Sequence, residues 1–474
     1  MTNITIQNGL KKLFKDWSGL DAESIELLPG SGSARRYYRL RSGTTTALGA
    51  YNHDAAENDA FFSFTDHFQS VGLPVPKIYS IDYDLFIYLL EDLGDETLFS
   101  FLTTIKQQSG SPTEISSVYR RVIEFLPKFQ ITGHQGLDYD RCYPRAAFDR
   151  QSMIWDLNYF KYYFLKLAKI PFDEQALEND FEVFSGYLSE VPSDFFMYRD
   201  FQSRNIMLCD EKLYFIDYQG GRKGALQYDI ASLLWDAKAD LSIASREELF
   251  KYYLLQLAKY IKVDVVPFTQ YYFAFVYIRI MQALGAYGYR GFYERKEHFL
   301  QSIPFAVNNL KWLLNNAPLQ TSTPELIRCL ELITEKEHLK ASNHDPEKLN
   351  LHIHSFSYKN GLPQDLSGNG GGFVFDCRAL PNPGRYDAYK TLTGKDQPVV
   401  SFLENEAEVI TFFENTRKLV EQSVKNYTSR KFSSLMVSYG CTGGQHRSVY
   451  CAEMLKKRLE GRYDISIKLN HREI

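Results

Sequence analysis

The sequence predicts an α+β bilobal fold with a smaller α/β domain appended to it. Three observations carry that prediction. Residues 24–94 alternate β-rich runs with glycine punctuation, which reads as a strand-rich lobe over about residues 1–95. Residues 112–338 are dominated by apolar and aromatic residues at helical spacing, which reads as a helical lobe over about 96–338. From residue 351 onward the order strand, glycine loop, helix points to an α/β unit over 351–474.

In the first lobe, SIELLPG and SGSARRYYRLRSGTTTALGAY (24–51) are strands joined by turns, with Gly30, Gly32 and Gly43 as breakers. Phe61, Phe62, Phe64 and Phe68 space a helix over 54–71. GLPVPKIY (72–79) is an extended link, and DLFIYLLEDLG (84–94) is a strand stopped by glycine. In the second lobe, residues 156–169 and 246–261 are amphipathic helices, and 194–219 forms a strand-rich insert. Residues 339–350 are polar with few apolar anchors and are expected to link the two domains. In the last domain, 351–361 and 373–383 begin with strands, 433–444 is a buried strand ending in a glycine loop, and helices are expected at 401–426 and 447–459.

Composition narrows the function classes. The chain has 474 residues, 44% hydrophobic and 24% charged, which are ordinary globular values. Its 34 Phe and 33 Tyr favour large buried aromatic surfaces. A net charge of -4 argues against a chain built to bind nucleic acid. Residues 351–474 nonetheless hold 17 Lys and Arg against 13 Asp and Glu. RNA is therefore not the expected partner, although this mild basic bias is the feature that admits it. The six cysteines form no C-x-x-C pair, so neither a zinc site nor a disulfide scaffold is expected, and a reducing cytoplasm is. The N-terminal residues lack the apolar run of a leader peptide. No stretch of about 18 apolar residues is present, and 271–284 contains Arg279, so no membrane span is expected.

The most informative segment is Tyr198-Arg199-Asp200-Phe201-Gln202-Ser203-Arg204-Asn205, followed by Asp217 at the end of a short hydrophobic run. Phosphoryl transfer to a hydroxyl needs a carboxylate to take the proton and two oxygen ligands to hold Mg2+ against the nucleotide phosphates. Asp200 suits the first role, Asn205 and Asp217 the second, at the spacing kinases use. The turn Gly30-Ser31-Gly32-Ser33-Ala34-Arg35-Arg36 offers backbone N–H groups and guanidinium charge to ATP phosphates. Alone, Asp200 reads more readily as a turn or cap residue; the hairpin context, the partner Asp217 and the glycine turn reverse that in favour of catalysis.

These residues resemble the aminoglycoside phosphotransferase and choline kinase-like superfamily. The likeness extends over about residues 1–335. It rests on SGSARRYYRL (31–40), YRDFQSRNIM (198–207), FIDYQGGRKGALQYDIASLL (215–234) and the aromatic run 281–314. The nearest branch is that of the anomeric N-acetylmuramate/N-acetylglucosamine kinases. The resemblance implies a protein-kinase-like fold, ATP and Mg2+ as cofactors, Asp200 as base and Asn205 and Asp217 as metal ligands. It further implies that Asp229 braces the catalytic loop and that the backbone at Glu91 and Leu93 meets the adenine. Arg204, Asp156 and Asp229 are candidate sugar contacts, and Asp156 fits a solvated helix position equally well. Tyr198 and Gln202 stand where the family often has histidine, and the strand 44–51 lacks the lysine that clamps the phosphates. Arg36 is the candidate substitute, and an inactive kinase lobe is the alternative.

In the last domain, Gly440-Cys441-Thr442-Gly443-Gly444-Gln445-His446-Arg447-Ser448 follows a strand and opens a helix. Free N–H groups, glycines and Arg447 make a phosphate cradle. The C-x5-R spacing also fits a cysteine phosphatase, and a glycine-rich turn with a structural cysteine fits as well. Residues from about 350 to the C-terminus resemble the C-terminal domain of RapZ, an RNase adapter that senses glucosamine-6-phosphate. HSFSYKNGLPQD (354–365), FVFDCRALPNP (373–383), LTGKDQPVVSFL (392–403) and GCTGGQHRSVYCAEML (440–455) carry the likeness. It implies binding of a phosphorylated amino sugar at Cys441, Thr442, Gly443, Gly444, His446 and Arg447, with Asp376 and Arg378 nearby. No P-loop motif accompanies it. The expected protein is thus a kinase acting on a small-molecule sugar such as N-acetylmuramate or N-acetylglucosamine. The alternative is a metabolite-sensing or RNA-interacting regulator.

Overall fold

The computed structural model describes residues 2–29, 35–107, 112–294, 296–336, 339, 348–363, 365, 371–430 and 432–474. The glycine turn Gly30, Ser31, Gly32 and Ser33 and most of the expected linker lie outside the described residues. The chain forms two compact units, Met1–Ala286 with Phe305–Lys336, and Tyr287–Pro304 with Glu337–Ile474.

The first unit opens with helix α1 (Asn3–Ser18), which the leader-peptide reading of the N-terminus left unassigned. Its signal is ordinary: Ile6, Leu10, Leu13 and Phe14 form one apolar stripe, Thr2 caps the start and Gly19 the end at φ 74°. Strands β1 (Ser24–Leu27), β2 (Arg36–Ser42) and β3 (Thr45–Tyr51) precede helix α2 (Ala55–Ser70). Strands β4 (Ile78–Asp82) and β5 (Ile87–Leu90) complete an antiparallel sheet of order β1-β2-β3-β5-β4. Alternation along β5 places its side chains in two layers. Ile87 and Leu89 join the α1 core, while the Tyr88 ring meets Phe61 and Phe62 of α2.

Helices α3 (Leu98–Gln107), α4 (Pro112–Ile123), α5 (Arg150–Phe160) and α6 (Glu174–Leu188) begin the helical lobe. Strands β6 (Phe195–Met197), β7 (Ile206–Cys209), β8 (Lys212–Phe215) and β9 (Arg222–Gly224) form the expected insert. β6 pairs with β9 and β7 with β8, both antiparallel. Helices α7 (Leu226–Leu234), α8 (Ile243–Leu257) and α9 (Val265–Tyr287) follow. After α9 come α10 (Glu297–Leu300), α11 (Ile303–Asn316) and α12 (Pro324–Glu335). Phe64, Phe68, Phe129, Phe196, Tyr198 and Tyr218 interlock edge-to-face beneath the insert, which is where much of the aromatic content goes.

The second unit is a parallel sheet of order β11-β12-β10-β13, built from β10 (Leu349–Ser357), β11 (Gly372–Asp376), β12 (Ser434–Cys441) and β13 (Ile465–His471). Every residue of β12 is buried, as a central parallel strand requires. The single helix expected at 401–426 is two, α13 (Gln397–Glu404) and α14 (Ala407–Ser429), because the chain leaves the helix at Asn405 and Glu406. Helix α15 (Arg447–Leu459) connects β12 to β13. Among the described residues no helix is long and apolar enough to cross a membrane.

Candidate active site

The loop between β6 and β7 is held from below by α7. Asp229, fully buried in the first turn of that helix, accepts the Tyr198 N–H at 2.7 Å and the Arg199 N–H at 3.0 Å. Burial pushes its carboxyl pKa to about 7, against the pull of these two donors. With no exposed surface, Asp229 has nothing with which to touch a sugar, so the expected substrate contact is corrected to bracing alone. The brace fixes Arg199 at φ 78°, a conformation costly for a residue with a Cβ. Tyr198 takes the family's histidine position as a buried aromatic and donates its hydroxyl to the Ile216 carbonyl at 2.7 Å.

That loop brings Asp200 and Asn205 to Asp217, which lies beyond β8. The Asn205 Nδ2 donates to the Asp200 carbonyl at 2.9 Å and to Asp217 Oδ2 at 3.2 Å. Asp217 follows a short hydrophobic strand, as the sequence implied. β8 stops at Phe215, and Asp217 follows it at φ 67°. The Gln219 Nε2 donates to Asp217 Oδ1 at 2.7 Å, and the Gln202 Nε2 donates to Asp200 Oδ1 at 3.1 Å. The Asp217 side chain reaches solvent, yet the protein packed around its carboxylate, and then the Asp200 charge, raise its pKa. Asp200 Oδ2 and Asn205 Oδ1 have no partner among the described residues.

Two carboxylates and an amide oxygen suit magnesium, which takes oxygen ligands and keeps several places for water and phosphate. Among the described residues no cluster of three His, Cys, Asp or Glu side chains forms a cage. The donor set therefore fits a hard cation shared with a ligand and does not fit a closed structural site.

The small lobe brings Arg35, not Arg36, toward this centre. Arg35 is buried and donates from Nη2 to Glu57 Oε1 at 2.9 Å and from Nη1 to the Tyr37 hydroxyl at 3.1 Å. Arg36 is exposed, with its guanidinium over the Tyr51 ring. Sequence reading missed Glu57, although Asp54-x-x-Glu57 is a capping pattern, with Asp54 Oδ1 accepting the Glu57 N–H at 3.1 Å. The Gln219 amide reaches both Glu57 at 3.4 Å and Asp217, linking the ion pair to the Asp217 carboxylate.

At the strand end, the Glu91 N–H donates to the Lys77 carbonyl at 2.9 Å, while the Leu93 N–H has no partner among the described residues. Arg39, also missed, grips Asp92 at 2.9 and 3.0 Å and Asp95 at 2.8 and 2.9 Å, fastening the connection between lobes. Arg204, expected to hold substrate, is exposed on the turn Ser203–Asn205, near Lys238, whose pKa is lowered by burial and by Arg204. Arg199 takes the inward place instead, donating to Asp156 Oδ1 at 2.7 Å and to the Tyr228 hydroxyl at 2.8 Å.

In the second unit, Cys441 Sγ accepts the Gly444 N–H at 3.2 Å and lies 3.1 Å from Ser448 Oγ, which closes the glycine loop. Thr442 and Gly443 are exposed, and a Cβ at Gly443 would meet nothing within 4 Å. His446 Nε2 lies 2.9 Å from the Tyr389 carbonyl. Arg447 keeps a buried Nε without a hydrogen-bond partner among the described residues. Its Nη1 donates to the Arg378 and Leu380 carbonyls at 2.8 and 2.9 Å, so it ties the loop to the segment after β11. Arg378 pairs with Asp376 at 2.7 Å.

Residues 24–263 match the family model of the phosphotransferase enzyme family, which is half of the chain. The chain belongs to the phosphotransferase enzyme family. Residues 349–474 of this phosphotransferase match the RapZ C-terminal domain. A nucleotide-binding protein of Agathobacter rectalis is 34% identical over 178 residues, covering 38% of this chain and 59% of that one. A nucleotide-binding protein of Ralstonia nicotianae is 38% identical over 130 residues, 27% of this chain and 42% of that one. This phosphotransferase thus spans about half the length of these curated relatives. A choline kinase structure from Cryptosporidium parvum aligns over 70% of this chain and all of its own, at 13% identity and a TM-score of 0.46.

Proposed function

We propose that this phosphotransferase is a cytoplasmic, ATP- and Mg2+-dependent sugar kinase. Its acceptor is an amino sugar such as N-acetylmuramate or N-acetylglucosamine, and its product a sugar 1-phosphate. The kinase domain spans 1–338, a linker 339–350, and a domain that binds a phosphorylated amino sugar 351–474. The observation that supports the reading is the Asn205 amide joining the Asp200 loop to the Asp217 carboxylate in one acidic cluster.

In this reading Asp200 Oδ2 takes the proton of the acceptor hydroxyl, while Gln202 holds Oδ1 and so orients the carboxylate. The hydroxyl oxygen forms the new bond to the γ-phosphorus as the bond to the β-phosphate oxygen breaks. Asn205 and Asp217 would hold Mg2+, which when bound neutralises phosphate charge. Arg35, positioned by Glu57, stands in for the absent strand lysine. The Glu91 carbonyl and Leu93 N–H receive the adenine edge. The loop at Cys441, Thr442, Gly443 and Gly444 binds the phosphorylated sugar in the second domain.

Mass spectrometry of a pooled sugar library incubated with Mg-ATP tests this. A sugar gaining one phosphoryl group in the native protein and none in Asp200→Asn is the expected result. No phosphorylated product from any sugar would sink the reading. A regulatory sensor is the second reading, favoured by the lysine-free strand β3.

A further inference from the structure

We infer that the acceptor carries an anionic group, a carboxylate or a phosphate, which Arg222 and Arg279 bind beside Asp200; this rests on the kinase reading above. The argument begins from buried charge. Guanidinium groups leave water at high cost unless a carboxylate or other anion compensates them. Around Tyr228 three arginines converge from separate elements: Arg199 from the catalytic loop, Arg222 from β9 and Arg279 from α9. Arg199 has its carboxylate, Asp156, at 2.7 Å.

The other two have none among the described residues. Arg222 is 7% exposed and meets only carbonyls, donating from Nε to Gly220 at 3.0 Å and from Nη2 to Tyr143 at 3.4 Å. Burial and the neighbouring Arg199 charge lower its pKa, the mark of a cation short of compensation. Arg279 is 8% exposed and donates to Ser232 Oγ at 3.1 Å and to Gln282 Oε1, with its guanidinium 5.6 Å from the centre of the Tyr228 ring. Asp229 lies within its electrostatic reach, but both of its oxygens are committed to the catalytic-loop N–H groups. The burial of Arg279 is outweighed by Tyr228, Asp200 and Asp156, which act at longer range and raise its pKa, so Arg222 is the guanidinium left short of compensation. In the reaction Asp200 must turn to the acceptor proton.

An unsatisfied acceptor lies next to them. Asp156 is nine-tenths buried; its Oδ1 is held by Arg199, while Oδ2 has no hydrogen-bond partner. A buried carboxylate oxygen left unpaired calls for a donor from the ligand. The cluster therefore asks for two things together, an anion for Arg222 and Arg279 and a hydroxyl for Asp156. A sugar acid or a sugar phosphate supplies both. A cationic acceptor can donate to Asp156 but brings no anion to the guanidinium groups, and a neutral sugar brings none either.

The test compares three acceptors on the full-length protein: N-acetylmuramate, N-acetylglucosamine 6-phosphate and neutral N-acetylglucosamine. The expected ratio of kcat/KM for the better acid over the neutral sugar is at least about 100, and Arg222→Met brings it near one through KM, as truncating one side of a buried ion pair does. Arg222→Lys recovers part of it, and Arg279→Met repeats the loss. The two acids separate carboxylate from phosphate recognition. Calorimetric titration of the same ligands into Asp200→Asn keeps binding apart from chemistry. Acid binding that Arg222→Met abolishes, without turnover in the native protein, sustains this inference and sinks the kinase reading. Turnover of the neutral sugar equal to or above both acids overturns the inference and leaves the kinase reading standing. A ratio unmoved by Arg222→Met overturns it as well.

Discussion

Truncating Asp229 to alanine removes the acceptor of two backbone N–H groups at once, those of Tyr198 and Arg199. Each donor left without a partner away from water costs about 1–3 kcal/mol, so the pair costs about 2–6 kcal/mol. Arg199 at φ 78° relaxes once its N–H is released, so the strain is relieved by opening the loop and not by holding it. At 1.4 kcal/mol per factor of ten, the low end of that range is about a 30-fold rise in the loop-opening constant. Amide hydrogen exchange reads this locally. Peptides containing Tyr198 and Arg199 should exchange about 30-fold faster or more, while those from β3 keep their native protection. Phosphotransfer should fall with the protection, because Asp200 rides on the same loop. Asp229→Asn retains one acceptor oxygen and should lie between the two. Exchange at Tyr198 and Arg199 within about threefold of native in Asp229→Ala would refute the brace.

Three further outcomes follow from the same geometry. Asp217 has its pKa raised, so metal-free stability is fullest while it stays protonated and is lost as pH rises through that raised value; Mg2+ binds the ionised form. The Mg2+-induced rise in melting temperature should therefore grow with pH over that window, and Asp217→Asn should flatten both curves. Glu57→Gln weakens the hold on Arg35 and should raise the KM for ATP several-fold with a smaller change in the KM for sugar, measured by steady-state kinetics. Gly444→Ala places a methyl 2.3 Å from Glu473 Cγ at φ 71°, and should destabilise the second unit by about 1–3 kcal/mol, read as a lower melting temperature of that unit.

Asp200, Asn205 and Asp217 were legible because they lie within eighteen residues of one another, on a loop and hairpin whose apolar runs and turns announce themselves. The β12 strand and its glycine loop were legible for the same reason, their order being local. Helix α1 and strand β13 carried readable periodicities in stretches weighed for other features, so their absence from the sequence account owed nothing to physics. The contact partners are different. Arg39 reaches Asp92 and Asp95 across 53 and 56 residues, Arg199 reaches Asp156 across 43, and Asp229 reaches Tyr198 across 31.

The sequence alone determined which groups could do chemistry, because a base and two oxygen ligands at fixed local spacing are a property of one short segment. It also determined the layered architecture, because strand and helix periods are written residue by residue. Only the tertiary structure decided which of two adjacent arginines enters the small-lobe ion pair. It alone decided that Arg204 stays in solvent while Arg199 turns inward, and that Arg222 and Arg279 are buried without a carboxylate. Adjacent side chains on a strand point to opposite faces, and which face meets the site depends on what packs there. Compensation of buried charge is a relation between distant elements that no local pattern encodes.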